Sequence, residues 1–197
     1  MTSTSRRSVL RSSACAAGLA LAGCLERVTD RSSDGDDEVP ENAGEPGTPA
    51  ERITVTASSE PYPEFDPQVV HVVVGGTVEW LVETGRHDIT AYHEDGHEPH
   101  RSPNGVADWG SPRLTGVGSE YEKTFDQEGV YDYVDTQQVC TSHEVAGNIG
   151  RVVVGWPDPD DEPAMADPQP DMPSQAARAI EMFNEQTRPV LEAGSDS

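Results

Sequence analysis

Cys140 and His143 stand three residues apart on one short stretch, Cys140-Thr-Ser-His143, between two β-type runs. The first run is Gly129-Val-Tyr-Asp-Tyr-Val134 and the second is Arg151-Val-Val-Val-Gly155. Cys140 is the only cysteine beyond the first two dozen residues; the others are Cys15 and Cys24. A lone thiol with an imidazole in reach is either a nucleophile pair or a pair of metal ligands. A cysteine hydrolase needs its thiolate and imidazole facing each other in a cleft. Two groups on one tight loop bind a shared metal more easily than they oppose one another. A second imidazole, His87, begins another strand far upstream. Metal is therefore the favoured chemistry.

Two imidazoles and one thiolate, with a weak or absent axial ligand, make a type 1 copper site. Such a trigonal site suits Cu(I) and Cu(II) almost equally, so electron transfer needs little rearrangement. His87 follows the run 77–82 by the turn Glu83-Thr-Gly-Arg86, which places it at one end of the domain. The Cys140 loop can sit at the same end. His93, His97 and His100 have helical spacing, but Asp95-Gly96 and Pro99 argue against a helix. They read as a solvated loop near the metal end. His71, in mid-strand, reads as structural.

The elements that must position these residues are strands. Ile53-Thr-Val-Thr-Ala57, Val69–Val74, Thr77–Val82, His87–Tyr92, Glu120–Phe125, Val130–Val134 and Arg151–Val154 alternate or run apolar and β-branched. Gly75-Gly76 reads as a hairpin turn between the second and third. About seven short strands with no internal helix predict an all-β Greek-key sandwich over 52–155. A long polar loop, 93–118, carries Trp109 as its one large apolar anchor. Residues 156–197 read as a Pro- and Asp-rich linker and a short C-terminal helix. Ser174 is its expected N-cap, Ala176, Ile180 and Phe183 its apolar face, and Pro189 its expected stop.

Residues 1–24 read as an export signal. Ser5-Arg6-Arg7-Ser8-Val9-Leu10 is a twin-arginine pattern, and a short apolar run of small residues follows. The run ends in Leu21-Ala22-Gly23-Cys24, which resembles a lipobox and makes Cys24 the expected lipidation site. Residues 25–51 are rich in Asp, Glu, Ser, Gly and Pro and read as a disordered acidic tether. The expected location is the outer face of the cell membrane. The whole chain carries a formal net charge of −23, with Lys123 its only lysine. Such a surface repels phosphate backbones, so no nucleic-acid partner is expected. Acidity interrupted by apolar strands points to a folded protein adapted to high salt, where the Debye length falls to about 3 Å or less.

Taken together, Phe65-x-Pro67, Gly76-Thr-Val-x-Trp80, His87-Asp-Ile-Thr-Ala, Phe125-x-x-x-Gly129-x-Tyr131-x-Tyr133 and Cys140-x-x-His143-x-x-x-Gly147 resemble the blue copper (cupredoxin) family. The likeness is to its halocyanin and plastocyanin-like members from salt-loving archaea, and it covers about 52–155. The resemblance implies a cupredoxin-like sandwich, one type 1 copper and His87, Cys140 and His143 as its ligands. It implies a membrane-tethered carrier that passes single electrons between redox partner proteins, and not an enzyme. The alternative is a copper-binding or docking module without electron transfer. Copper oxidases and nitrite reductases need further His-x-His ligands, and the chain has none.

Two departures from the family pattern stand out. The family's axial Met follows the glycine matching Gly147, and here Asn148 stands there. The family's cysteine follows the Tyr-x-Tyr strand almost at once, and here Asp135-Thr-Gln-Gln-Val139 intervenes. Asn148, or Gln137 or Gln138 from the insertion, is the candidate for the axial position, since an amide oxygen can replace a thioether there; a backbone carbonyl and an empty axial position stay open beside it.

Overall fold

The computed structural model describes residues 40–138 and 142–194. In chain order the strands are β1 (Ala50–Ser58), β2 (Glu64–Asp66), β3 (Val69–Val82), β4 (Arg86–His87), β5 (Thr90–Ala91), β6 (Leu114–Thr115), β7 (Glu120–Phe125), β8 (Gly129–Val134) and β9 (Ile149–Val154). A short helix α1 (His143–Ala146) precedes β9; a 3-10 turn (Pro163–Met165) and the long helix α2 (Ser174–Ala193) follow it.

The expected hairpin at Gly75-Gly76 does not form. Residues 69–82 are one strand that changes partners at a glycine corner. The first part of β3 lies parallel to β9, from Val69 opposite Arg151 to Val72 opposite Val154. The second part lies parallel to β1 and antiparallel to β7. Gly75 has φ of 84°, in the left-handed region, and a side chain at Gly76 would collide with Val72 and the Val73 carbonyl. The two glycines redirect the chain from one layer to the other instead of folding it back on itself. Two β-branched runs thereby each gain a long partner, which a mutual hairpin would deny them.

Alternation decides what lies on each side of β8 and β9. Tyr131, Tyr133, Val152 and Val154 point into the main core, against Val55, Phe65, Val78 and Trp80. Val130, Val134, Ile149 and Val153 point the other way, into a second core with Met165, Ile180, Phe183 and Leu191. Every residue of β8 and β9 is therefore buried. These strands form the middle layer, between the rest of the sandwich and α2.

The face expected of α2, Ala176, Ile180 and Phe183, is the buried one, and Thr187 and Leu191 extend it. Its ends differ from expectation. Pro173 stands at the cap position and Ser174 is already helical, with no side-chain cap bond. Pro189 lies inside the helix, where it forfeits a main-chain hydrogen bond. The turn beyond it persists because Leu191 is buried in the second core. Folded chain also begins earlier than residue 52. His71 N donates to Gly44 O at 2.7 Å, and Gly47 N donates to His71 Nδ1 at 3.0 Å. Main-chain bonds, not apolar burial, fix this stretch, which is why its composition does not announce it.

A buried ionic cluster fastens the C-terminal segment. Asp132 of β8 accepts from Arg101 Nε at 2.9 Å and from Arg151 Nε at 2.7 Å, and all three side chains are fully buried. The remaining guanidinium N–H groups reach the Ala164 and Ala166 carbonyls and Gln169 Oε1. Arg151 also lies over the Phe183 ring, 5.6 Å from its centroid.

Candidate metal centre

The ends of β4, β8 and β9 and the start of α1 gather four buried polar side chains. His87 ends β4, Asp135 follows β8 directly, His143 opens α1 and Asn148 precedes β9. His87, Asp135 and Asn148 are fully buried and His143 is 3% exposed. Main-chain bonds hold them in register. Asp135 N donates to Asn148 O at 3.2 Å, Asn148 N to His143 O at 2.9 Å and His143 N to Gln137 O at 2.9 Å. Gly147 turns the chain out of α1 at φ of 88°, with Gln175 packed where a side chain would go.

Both imidazoles turn Nδ1 to one atom. Asp135 Oδ2 lies 2.6 Å from His87 Nδ1 and 2.6 Å from His143 Nδ1. The ring centroids are 5.3 Å apart. Among the described residues this is the one group of three His, Cys, Asp or Glu side chains whose ligand atoms converge, all within 4.8 Å of one another. Asp135 Oδ1 is occupied by the main chain: Gln137 N donates to it at 2.9 Å and Asp88 N at 3.3 Å. Asn148 Nδ2 donates to Oδ2 at 3.0 Å, while Asn148 Oδ1 is buried with no hydrogen-bond partner among the described residues.

The tautomer of His87 follows from its other nitrogen. Nε2 faces the Thr84 carbonyl at 2.8 Å, which can only accept, so Nε2 carries the proton. Nδ1 of the neutral ring then presents a lone pair to a carboxylate oxygen. Two acceptors at that distance repel unless a proton or a metal cation stands between them. An anionic oxygen, two imidazole nitrogens and an unpaired amide oxygen fit a divalent transition metal such as copper.

Of the residues expected at the site, His87, His143 and Asn148 come together here. Cys140 and Cys24 lie outside the described residues. Gln138 is exposed and pairs with Ser142 in an isolated bridge. Gln137 is buried, with its amide bonded to Asp88 Oδ2. Asp135 is the member that sequence reasoning missed. The signal was its place immediately after Tyr131-x-Tyr133-Val134, where the family pattern sets its thiolate.

Of the other four histidines, three have hydrogen-bond partners, while His100 packs edge-on against the His93 ring, 5.2 Å between centroids, with its buried Nδ1 unpartnered among the described residues. His93 is buried, not solvated: Nε2 meets Val106 O at 2.9 Å and Nδ1 accepts from Asp95 N at 3.1 Å. The loop expected to be solvated folds inward because Trp109 and Tyr92 anchor it in the cores. His97 Nε2 lies 3.2 Å from Glu144 Oε1, which also accepts from Tyr92 OH at 2.9 Å. His71 is fully buried, between Gly47 N and Gly155 O.

Comparison with known proteins gives the family and the fold. A family model for copper-binding proteins of the plastocyanin/azurin family matches residues 52–155. Halocyanin of Natronomonas pharaonis is 34% identical over 106 residues, which take in 53% of this chain and 56% of that protein. The match thus spans little more than half of the relative's length. Among solved structures, pseudoazurin of Methylobacterium extorquens is 21% identical, with a TM-score of 0.51 over 68% of this chain and 98% of that one. Pseudoazurin of Hyphomicrobium denitrificans is 20% identical, with a TM-score of 0.50 over 68% and 96%. At that identity the two structures speak for the sandwich alone.

Proposed function

The chain belongs to the plastocyanin/azurin family of copper-binding proteins, and from that premise we propose that it carries single electrons between redox partner proteins at the outer face of the cell membrane. Its cofactor is copper, which when bound supplies a one-electron Cu(I)/Cu(II) couple. The observation that carries the reading is the convergence of His87 Nδ1 and His143 Nδ1 on one buried point. The chain's own part is to hold those nitrogens still. His87 is pinned from behind by Thr84 O at 2.8 Å and Ser59 Oγ at 3.2 Å. His143 is set by the α1 start and by its N–H bond to Gln137 O. At 3% exposure His143 is the less deeply buried of the two rings, and its side of the centre is the shorter way out for an electron.

The location rests on sequence. The twin-arginine pattern, the apolar run and the lipobox-like Leu21-Ala22-Gly23-Cys24 support export and a lipid anchor at Cys24. The net charge of −23 suits an exterior rich in salt.

The purified full chain is expected to bind one copper and to show a reversible one-electron wave in voltammetry. His87→Ala and His143→Ala each weaken copper at least tenfold. In cells the protein fractionates with membranes, and Cys24→Ser abolishes that anchoring. A chain that takes up no copper, or whose copper does not cycle, overturns the carrier. Wild-type protein that is released from membranes and begins at another residue overturns the anchor.

A further inference from the structure

Resting on the copper reading above, we propose that the third strong ligand is the carboxylate of Asp135, so that His87, His143 and Asp135 hold the metal with the Asn148 amide oxygen as a weak fourth donor. The placement begins with the chain. Asp135 is the first residue after β8 and lies on the strand end that faces β4 and β9. Its two oxygens are differentiated. Oδ1 is committed to the Gln137 and Asp88 N–H groups, which fixes the carboxylate plane. Oδ2 is left to face both Nδ1 atoms at 2.6 Å. Metal-bound carboxylates are commonly oriented in this way, with hydrogen bonds on the oxygen that does not ligate.

A purely structural salt bridge accounts for the cluster less well. It would need a proton on each Nδ1, and His87 already uses its Nε2 proton on Thr84 O. His87 would then be a fully buried imidazolium, and one carboxylate oxygen would serve two imidazole N–H groups and an amide N–H together. It would also leave Asn148 Oδ1 buried and unpaired, which is costly. A cation among Nδ1, Nδ1 and Oδ2 removes the acceptor–acceptor repulsion.

The ligand set changes the chemistry of the centre. Two nitrogens and hard oxygens lack the soft thiolate that gives blue copper its intense charge-transfer colour. A hard anionic ligand favours Cu(II) over Cu(I), which lowers the reduction potential relative to a thiolate site.

The test uses the full chain, Cu(II) alone as probe, and visible absorption, electron paramagnetic resonance and competition titration as readouts. Wild-type protein is expected to bind one Cu(II) with weak visible absorption and the wide parallel hyperfine splitting of nitrogen and oxygen ligation. Cys140→Ser should change neither spectrum nor affinity by more than about twofold, whereas Asp135→Asn, which keeps size and shape, should weaken Cu(II) ten- to a hundredfold. Asp135→Cys in a Cys140→Ser background should turn the centre intensely coloured, because a thiolate then stands where Oδ2 stood. An intense band in wild type that Cys140→Ser abolishes and Asp135→Asn preserves overturns the proposal and assigns the third ligand to Cys140, with the copper reading intact. Failure of every form to bind copper, the Asp135→Cys protein included, overturns the copper reading itself.

Discussion

Asp88 holds Thr136 at both ends of one carboxylate: Oδ1 accepts the Thr136 N–H at 2.7 Å and Oδ2 accepts the Thr136 hydroxyl at 2.8 Å. The same Oδ2 takes the Gln137 amide. Asp88 is the neighbour of His87, and Thr136 and Gln137 follow Asp135. One side chain thus couples the end of β4, which carries His87, to the stretch that carries Asp135.

Removing that coupling should loosen the centre more than the fold. Asp88→Ala is expected to lower copper affinity about ten- to a hundredfold, as loss of an outer partner typically does. Asp88→Asn should recover part of the loss, since its amide oxygen can still accept from Thr136. Competition titration measures this. A folded Asp88→Ala protein with wild-type affinity would show that Asp135 is positioned by the strands alone.

Asp132 is predicted to matter for stability instead. Asp132→Ala leaves Arg101 and Arg151 buried together with no counter-charge between them. Breaking a buried pair in this way costs about 3–5 kcal/mol. Urea denaturation should show a large fall in midpoint. A loss within the range of an ordinary surface substitution would mean that the carbonyls of the C-terminal segment solvate both guanidinium groups unaided.

Phe183→Ala probes the outer layer. The ring is 2% exposed in the second core and lies beneath the Arg151 guanidinium. Truncating a buried aromatic side chain costs about 3–5 kcal/mol. A midpoint shift of that size in denaturant would show that α2 is part of the cooperative fold. Little change would show that it docks and releases independently of the sandwich.

Sequence pattern was informative where burial is one-sided and local. The strand runs, the α2 face and the positions of His87 and His143 follow from periodicity and from family motifs. It misled where partners are distant. Gly75-Gly76 has a hairpin's composition, yet β1, β7 and β9 decide its geometry from elsewhere in the chain. Pro189 is a sound stop signal for an isolated helix, and Leu191 overrides it only because the second core exists. Asp135 was hidden by its own charge. An aspartate in a chain with 36 acidic residues reads as surface, and its place at the end of the Tyr131-x-Tyr133 strand gains meaning only with its contacts to His87 and His143.

His71 should make stability depend on pH with a sign that can be worked out. Its ring accepts from Gly47 N on Nδ1 and donates from Nε2 to Gly155 O, so the fold holds it neutral. Burial lowers its pKa from the ordinary 6.5, and the Gly155 bond only partly opposes this. The unfolded chain therefore takes up the proton first as pH falls. The stability His71 contributes is complete above about 6.5, is lost as pH falls from there towards the folded value, and is level below it. His97 acts in the opposite sense. Glu144 raises its pKa, so its contribution is present at low pH and lost as pH rises through the folded value. Total stability mixes the two, and the diagnostic quantity is the difference between wild type and His71→Gln. That difference, from urea unfolding at a series of pH values, should shrink as pH drops below 6.5. A difference that stays constant from pH 7.5 to 5 would mean that His71 accepts its proton in the folded state as readily as in the unfolded one, against the geometry at Gly47.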